Sequence, residues 1–182
     1  LKSGDLPLAI YTDLMRVALL EHYGGTWIDS TVYLTDPIPD MILNSDFFAV
    51  RNSLLLIDNP VLYPAWFLHA KKGNKTIREI RNVAFAYWLK NEHVIEYLLP
   101  NLIITQVIKS EPEAELAIPY MNSDYSEYLV KILGDDFSED KWEWIKDLTG
   151  IHKLTYKLDA DIKHGHNFYD YLITSSDEKN TK

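Results

Sequence analysis

Asp13, Arg16 and Asp29 have the residue types and spacing to bind a ligand. Asp13 and Arg16 stand three apart, so on a helix they share one side. Asp29 follows the apolar pair Trp27-Ile28, at the end of a short strand-like run. A carboxylate accepts hydroxyl protons and a guanidinium donates in a fixed fork. One cation and one acid on a helix, with a second acid at a strand end, could converge on a polyol or a phosphate. Ligands of open α/β sheets bind just beyond strand ends. Two plainer readings compete: an i,i+3 Asp/Arg pair is usually a solvated ion pair, and a lone Asp before a turn is usually a cap.

The elements that must carry these residues are legible. Residues 6–22 read as a helix with Leu8, Tyr11, Met15, Ala18, Leu19 and His22 as its apolar face. Gly24-Gly25 stops it, as a left-handed C-terminal cap does. Residues 26–28 and 31–34 read as strand on either side of Asp29. Residues 47–50, 54–57 and 65–68 read as short strands, apolar enough to be buried on both faces. After the turn at 71–74, helices are expected over 75–90, 93–109 (kinked or divided at Pro100), 122–133 and 138–149, the last capped by Ser138. Glu111-Pro112-Glu113 reads as a loop and 151–158 as a late strand. The expectation is one domain over 1–174 with a disordered tail over 175–182.

The string D-L-x-R-x-x-x-L-x-x-x-G-G-x-W-x-D-x-T from Asp13 to Thr31 resembles the central motif of the capsular polysaccharide synthesis glycosyltransferases. Those are similar in turn to the initiating mannosyltransferases of the Golgi and to the glucosylating bacterial toxins. Residues 65–74, AWFLHAKKGN, resemble the family's central strand and turn, and residues 151–157, IHKLTYK, its C-terminal strand.

The resemblance implies a GT-A-like α/β fold, a mainly parallel sheet with flanking helices, here without its N-terminal nucleotide-binding strand–helix unit. It implies transfer of a sugar from a nucleoside-diphosphate donor to a hydroxyl of a growing capsular or cell-surface glycan, with retention of configuration. Asp13 and Arg16 would meet hydroxyls of the donor, and Gly24, Gly25, Trp27 and Thr31 would shape the pocket. Asp29 would be the first acid of an Asp-x-Asp motif that holds Mn²⁺ or Mg²⁺ against the diphosphate. The second acid is replaced, since the run is Asp29-Ser30-Thr31. His164 and His166 are further metal candidates against the plainer reading of loop histidines. Glu96 is an acceptor-side candidate against that of an exposed helix acid. Lys153 and Lys157 could face the diphosphate, and Asp58-Asn59 could line the acceptor cleft.

Composition narrows the partners. With 18 Lys and Arg against 27 Asp and Glu, the chain carries a net charge of −9. Such a chain makes a poor partner for nucleic acid. The lack of cysteine excludes disulfides and thiolate metal sites. No apolar run reaches the roughly 18 residues of a spanning helix. A nucleotide-sugar donor, a glycan or lipid-linked acceptor and a cytoplasmic place at the inner face of the membrane, held there peripherally, are expected. A non-catalytic sugar-binding or scaffolding subunit of a polysaccharide assembly complex is the alternative, and a nucleotide-sugar hydrolase a third.

Overall fold

The computed structural model describes residues 8–53, 58–91, 93, 95–158, 162 and 165–180. The chain divides into two compact units, where the sequence suggests one domain. Unit 1 comprises residues 1–29 and 39–123; unit 2 comprises 30–38 and 124–182.

Unit 1 opens with α1 (Leu8–Tyr23), followed by β1 (Gly25–Ile28). The expected helix is there, but its buried stripe is Ile10, Leu14, Val17 and Leu20, together with Arg16. Leu8, Tyr11 and Leu19 of the expected face are exposed. Apolar residues surround most of this helix, so spacing alone does not fix which side turns inward. Gly24 closes α1 with a left-handed φ of +73° and an N–H bond to the Leu20 carbonyl at 2.9 Å. A Cβ there would lie 2.5 Å from the Lys72 backbone nitrogen. Both its φ and this close approach therefore require glycine.

The chain returns to unit 1, after a unit 2 strand, β2 (Val32–Leu34), with α2 (Asp40–Leu43), β3 (Phe47–Ala49) and β4 (Phe67–Ala70). Together β1, β4 and β3 form a three-stranded sheet in that order, antiparallel throughout. The expected mainly parallel sheet is therefore not what the described residues form. Strands β3 and β4 are buried on both faces as expected, although β4 starts two residues later than the strand expected over 65–68; apolar runs report burial and leave strand direction open. Leu68 and Ala70 join Phe47 and Ala49 in a core with Val17 and Leu20 of α1. Phe67 lies on the other face, its ring edge-on to Phe48 at 5.9 Å.

Three helices complete unit 1: α3 (Lys75–Lys90), α4 (Leu99–Ser110) and α5 (Pro112–Leu116). Asn74 caps α3 by accepting the Ile77 N–H at 3.1 Å. Helix α4 begins at Leu99 rather than near residue 93, with Pro100 in its first turn, where no intrahelical N–H is needed. The expected loop at Glu111-Pro112-Glu113 instead starts α5, again with proline in the first turn. The expected strand at 54–57 lies outside the described residues.

In unit 2, β2 pairs antiparallel with β5 (Ile151–Lys153), shorter than the strand expected over 151–158. The expected helix over 122–133 is two short ones, α6 (Ser123–Ser126, its first residue in unit 1) and α7 (Tyr128–Lys131). Helix α8 (Glu139–Leu148) carries the predicted Ser138 cap, which accepts from the Lys141 N–H at 3.4 Å. Helix α9 (Phe168–Asn180) runs into the tail expected over 175–182. A core of Leu129, Leu133, Trp142, Ile145 and Phe168 holds this unit.

Candidate functional site

Asp13, Arg16 and Asp29 meet in unit 1. Arg16 is buried at 7% exposure on the inner side of α1. Its Nη1 donates to the Ala65 carbonyl at 2.5 Å. Its Nη2 lies 3.0 Å from Asp13 Oδ1 and 3.4 Å from Asp29 Oδ1. The guanidinium carbon stands 5.3 Å from the Trp27 ring centroid, within cation–π range. Its Nε, buried, has no hydrogen-bond partner among the described residues. Arg16 thus ties helix α1 to the end of β1 and to the segment ahead of β4.

The two acids differ from the arginine in exposure. Their side chains are 23% (Asp13) and 26% (Asp29) exposed. Trp27 fixes Asp29 by donating Nε1–H to its Oδ1 at 2.9 Å. The Asp29 N–H donates to the Trp66 carbonyl at 3.0 Å, extending the β1–β4 ladder one step. Burial raises the Asp13 carboxyl above its usual range; Arg16 opposes that and the Asp29 charge adds to it. Two acids around one cation leave the cluster one negative charge, a setting that suits hydroxyl donors better than a bare phosphate.

The segment that receives Arg16 is itself held firmly. Asn101 on α4 accepts the Ala65 N–H at 2.7 Å. Thr105, one turn on, accepts the N–H groups of Leu62 and Tyr63, each at 3.1 Å. These carbonyl and amide partners belong to the backbone of residues 62–66, which is why side-chain patterns alone did not reveal them. The one available signal was a lone arginine flanked by buried Leu14 and Val17.

Several other candidates lie elsewhere. Gly24 and Gly25 sit at the start of β1, about 13 Å along an extended strand from Asp29, and serve the helix stop. Glu96 is exposed and accepts the Leu98 N–H at 3.2 Å, in the turn ahead of α4. Asn59 accepts the Val61 N–H at 2.9 Å, also a turn role. Thr31, in unit 2, has its hydroxyl paired with the Lys153 ammonium, while its carbonyl accepts the Leu154 N–H at 2.7 Å. His166 is an exposed residue of unit 2 whose ring lies 6.2 Å from that of Phe137. His164 lies outside the described residues.

Sequence comparison decides the family. The model of the capsular polysaccharide synthesis proteins matches residues 1–172. The chain belongs to that family. Among curated proteins none matches it. Membership places this capsular synthesis protein in the making of cell-surface polysaccharide, and its match covers the acid–arginine cluster and both units. Among the described residues no helix is long and apolar enough to cross a membrane.

The resemblance implies a divalent cation at Asp29. Among the described residues no group of three or more His, Asp or Glu side chains could hold a metal ion. Asp29 Oδ1 already accepts from Trp27 and faces Arg16, and the Thr31 hydroxyl meets an ammonium. The described side chains therefore do not build a cation cage of their own. Asp29 could offer a single carboxylate to a Mg²⁺ or Mn²⁺ ion whose shell water and phosphate oxygens would complete.

Proposed function

We propose that this capsular synthesis protein is a glycosyltransferase that moves a sugar from a nucleoside-diphosphate donor to a hydroxyl of a growing glycan, with its donor site at Asp13, Arg16 and Asp29. The observation that carries this reading is the buried arginine clamping two part-exposed acids at the C-terminal end of β1. The carboxylates accept hydroxyl protons of the sugar, and Arg16 positions both. Trp27 fixes the direction of Asp29. Such fixed groups act by orienting the donor, which removes the entropy cost of alignment before the bond to the diphosphate breaks. A GT-A-like fold, retention of configuration, a divalent cation at Asp29 and a cytoplasmic position beside a lipid-linked acceptor belong to the same proposal.

A second reading, a non-catalytic sugar-binding or scaffolding subunit, is favoured by one observation. Thr31 stands where the second acid of Asp-x-Asp is expected, and its hydroxyl is taken by Lys153. Turnover separates the two. The chain is incubated with nucleotide sugars and glycan acceptors, with and without Mn²⁺, while nucleoside diphosphate release is followed. Release that needs the acceptor and that Asp29→Asn abolishes supports the transferase. Donor binding without release supports the subunit.

A further inference from the structure

A second polar cleft lies in unit 1, of about 350 Å³, lined in part by Arg51, Tyr63, Lys109, Glu115 and Tyr120. Its floor is one carboxylate shared by three donors. Glu115, 13% exposed, accepts the Tyr63 hydroxyl at 2.9 Å and faces Lys109 Nζ at 3.2 Å and Arg51 Nη2 at 3.6 Å. The Arg51 guanidinium stands 5.7 Å from the Tyr63 ring centroid, and its buried Nε has no hydrogen-bond partner among the described residues. Burial and the Glu115 contact hold the Tyr63 phenol in its protonated form, well above its ordinary range. Two cations around one acid leave one positive charge over, in a chain whose net charge is −9. Tyr120 is exposed and offers an aromatic face.

The walls are braced. The Arg51 N–H donates to the Met121 carbonyl and its own carbonyl accepts the Ser123 N–H, each at 2.9 Å. Ser123 Oγ donates to Asn52 Oδ1 at 2.6 Å, and Asn52 Nδ2 to the Val61 carbonyl at 2.8 Å. Register places this cleft beside the acid–arginine cluster. Trp27 of β1 and Ala49 of β3 both pair with Leu68 of β4. Strands β1 and β3 therefore run the same way, two strand spacings apart, about 10 Å. Asp29 is two residues past Trp27 and Arg51 two residues past Ala49, so both follow strand C-termini at the same end of the sheet. Tyr63 also shares with Ala65 and Trp66 the segment that anchors Arg16 and Asp29.

We infer that this cleft binds the acceptor through an anionic group, a carboxylate or phosphate carried by a saccharide, with the sugar ring against Tyr120. The acid cluster, one negative charge in excess, takes hydroxyls; the cleft, one positive charge in excess, takes the anion. The acceptor role rests on the glycosyltransferase reading above, while anion binding by the cleft does not.

The test is a titration of the full chain, followed by the NMR signals of Tyr63, Tyr120 and the Lys109 side chain. The probes are glucuronic acid, glucose 1-phosphate, neutral glucose and UDP. The expected result is saturable binding of glucuronic acid or glucose 1-phosphate, whichever wins naming carboxylate or phosphate, and at least tenfold weaker binding of glucose. Lys109→Gln, at an exposed position, should weaken the anion by roughly tenfold, near the low end of what a hydrogen bond to a charged group is worth. Glu115→Gln, which still accepts from Tyr63, should tighten it, an effect that a merely structural Glu115 would not give. No shift of these signals by either acidic probe, in a chain that stays folded, overturns the inference. So does Lys109-dependent binding of UDP alone, which would give the cleft to the donor. Acidic-saccharide binding here without any Asp29-dependent donor binding would leave the cleft standing and remove the glycosyltransferase reading.

Discussion

Replacing Arg16 with methionine keeps the aliphatic stem and removes the charge. The variant loses the 2.5 Å bond to the Ala65 carbonyl and the contacts to Asp13 and Asp29 at 3.0 and 3.4 Å. Removing one partner of a buried ion pair costs about 3–5 kcal/mol, because the remaining charge is left uncompensated. Both acids here are about a quarter exposed, so water screens part of that and the low end, about 3 kcal/mol, is expected. For a chain of this length that is a melting-point fall of about 6–12 °C. Urea unfolding read by circular dichroism measures it. Asp13→Asn keeps an oxygen for Arg16 and should cost under about 1 kcal/mol. The double variant should fall short of additivity by about 1–2 kcal/mol, since it no longer strands the Asp13 charge. The Asp13 carboxyl is already raised by burial, and losing Arg16 raises it further. A folded state that holds a proton more tightly than the unfolded chain gains stability as pH falls. The Arg16→Met deficit should therefore shrink between neutral pH and about pH 4. A loss below about 1 kcal/mol, or a deficit that grows in acid, would refute the clamp.

Gly24 and Gly25 should separate two costs. Gly24→Ala meets the Lys72 backbone at 2.5 Å as well as a φ of +73°, and should lose about 3 kcal/mol; Gly25→Ala, with φ +103° and open space around it, about 1–2 kcal/mol. Thermal unfolding of the two variants ranks them, and equal losses would remove the close-approach argument. His152 is buried, with Nε2 3.1 Å from Thr35 Oγ1, and burial pushes it down to about 4. Below pH 6.5 the unfolded chain takes a proton that the folded chain refuses. The stability present above pH 6.5 is therefore lost towards pH 4, by at most about 3 kcal/mol. The pH dependence of urea unfolding should flatten over that window in His152→Asn; an unchanged slope would place the titration elsewhere.

Much of the positioning machinery was legible in the sequence because it is local. The cap at Ser138, the turn at 71–74, the glycine stop after α1 and the β1 strand ending before Asp29 all depend on neighbours within a few residues. The i,i+3 spacing likewise brought Asp13 and Arg16 together. Other features depended on long-range partners. Arg16 reads as a surface cation until the Ala65 carbonyl and the turn of α1 bury it. The sheet's antiparallel order depends on how β4 enters between β1 and β3, which apolar runs do not encode. The cleft draws Arg51, Tyr63, Lys109 and Glu115 from scattered positions that no motif links.

The most direct test of the account is calorimetric titration of nucleotide sugars into the full chain beside Asp29→Asn, with and without Mn²⁺. The account predicts saturable binding of at least one nucleotide sugar by the wild-type chain, and a loss of tenfold or more in the variant while its fold is kept. Undiminished donor binding by a folded Asp29→Asn chain, or no donor binding by the folded wild type, would contradict a donor site at the end of β1.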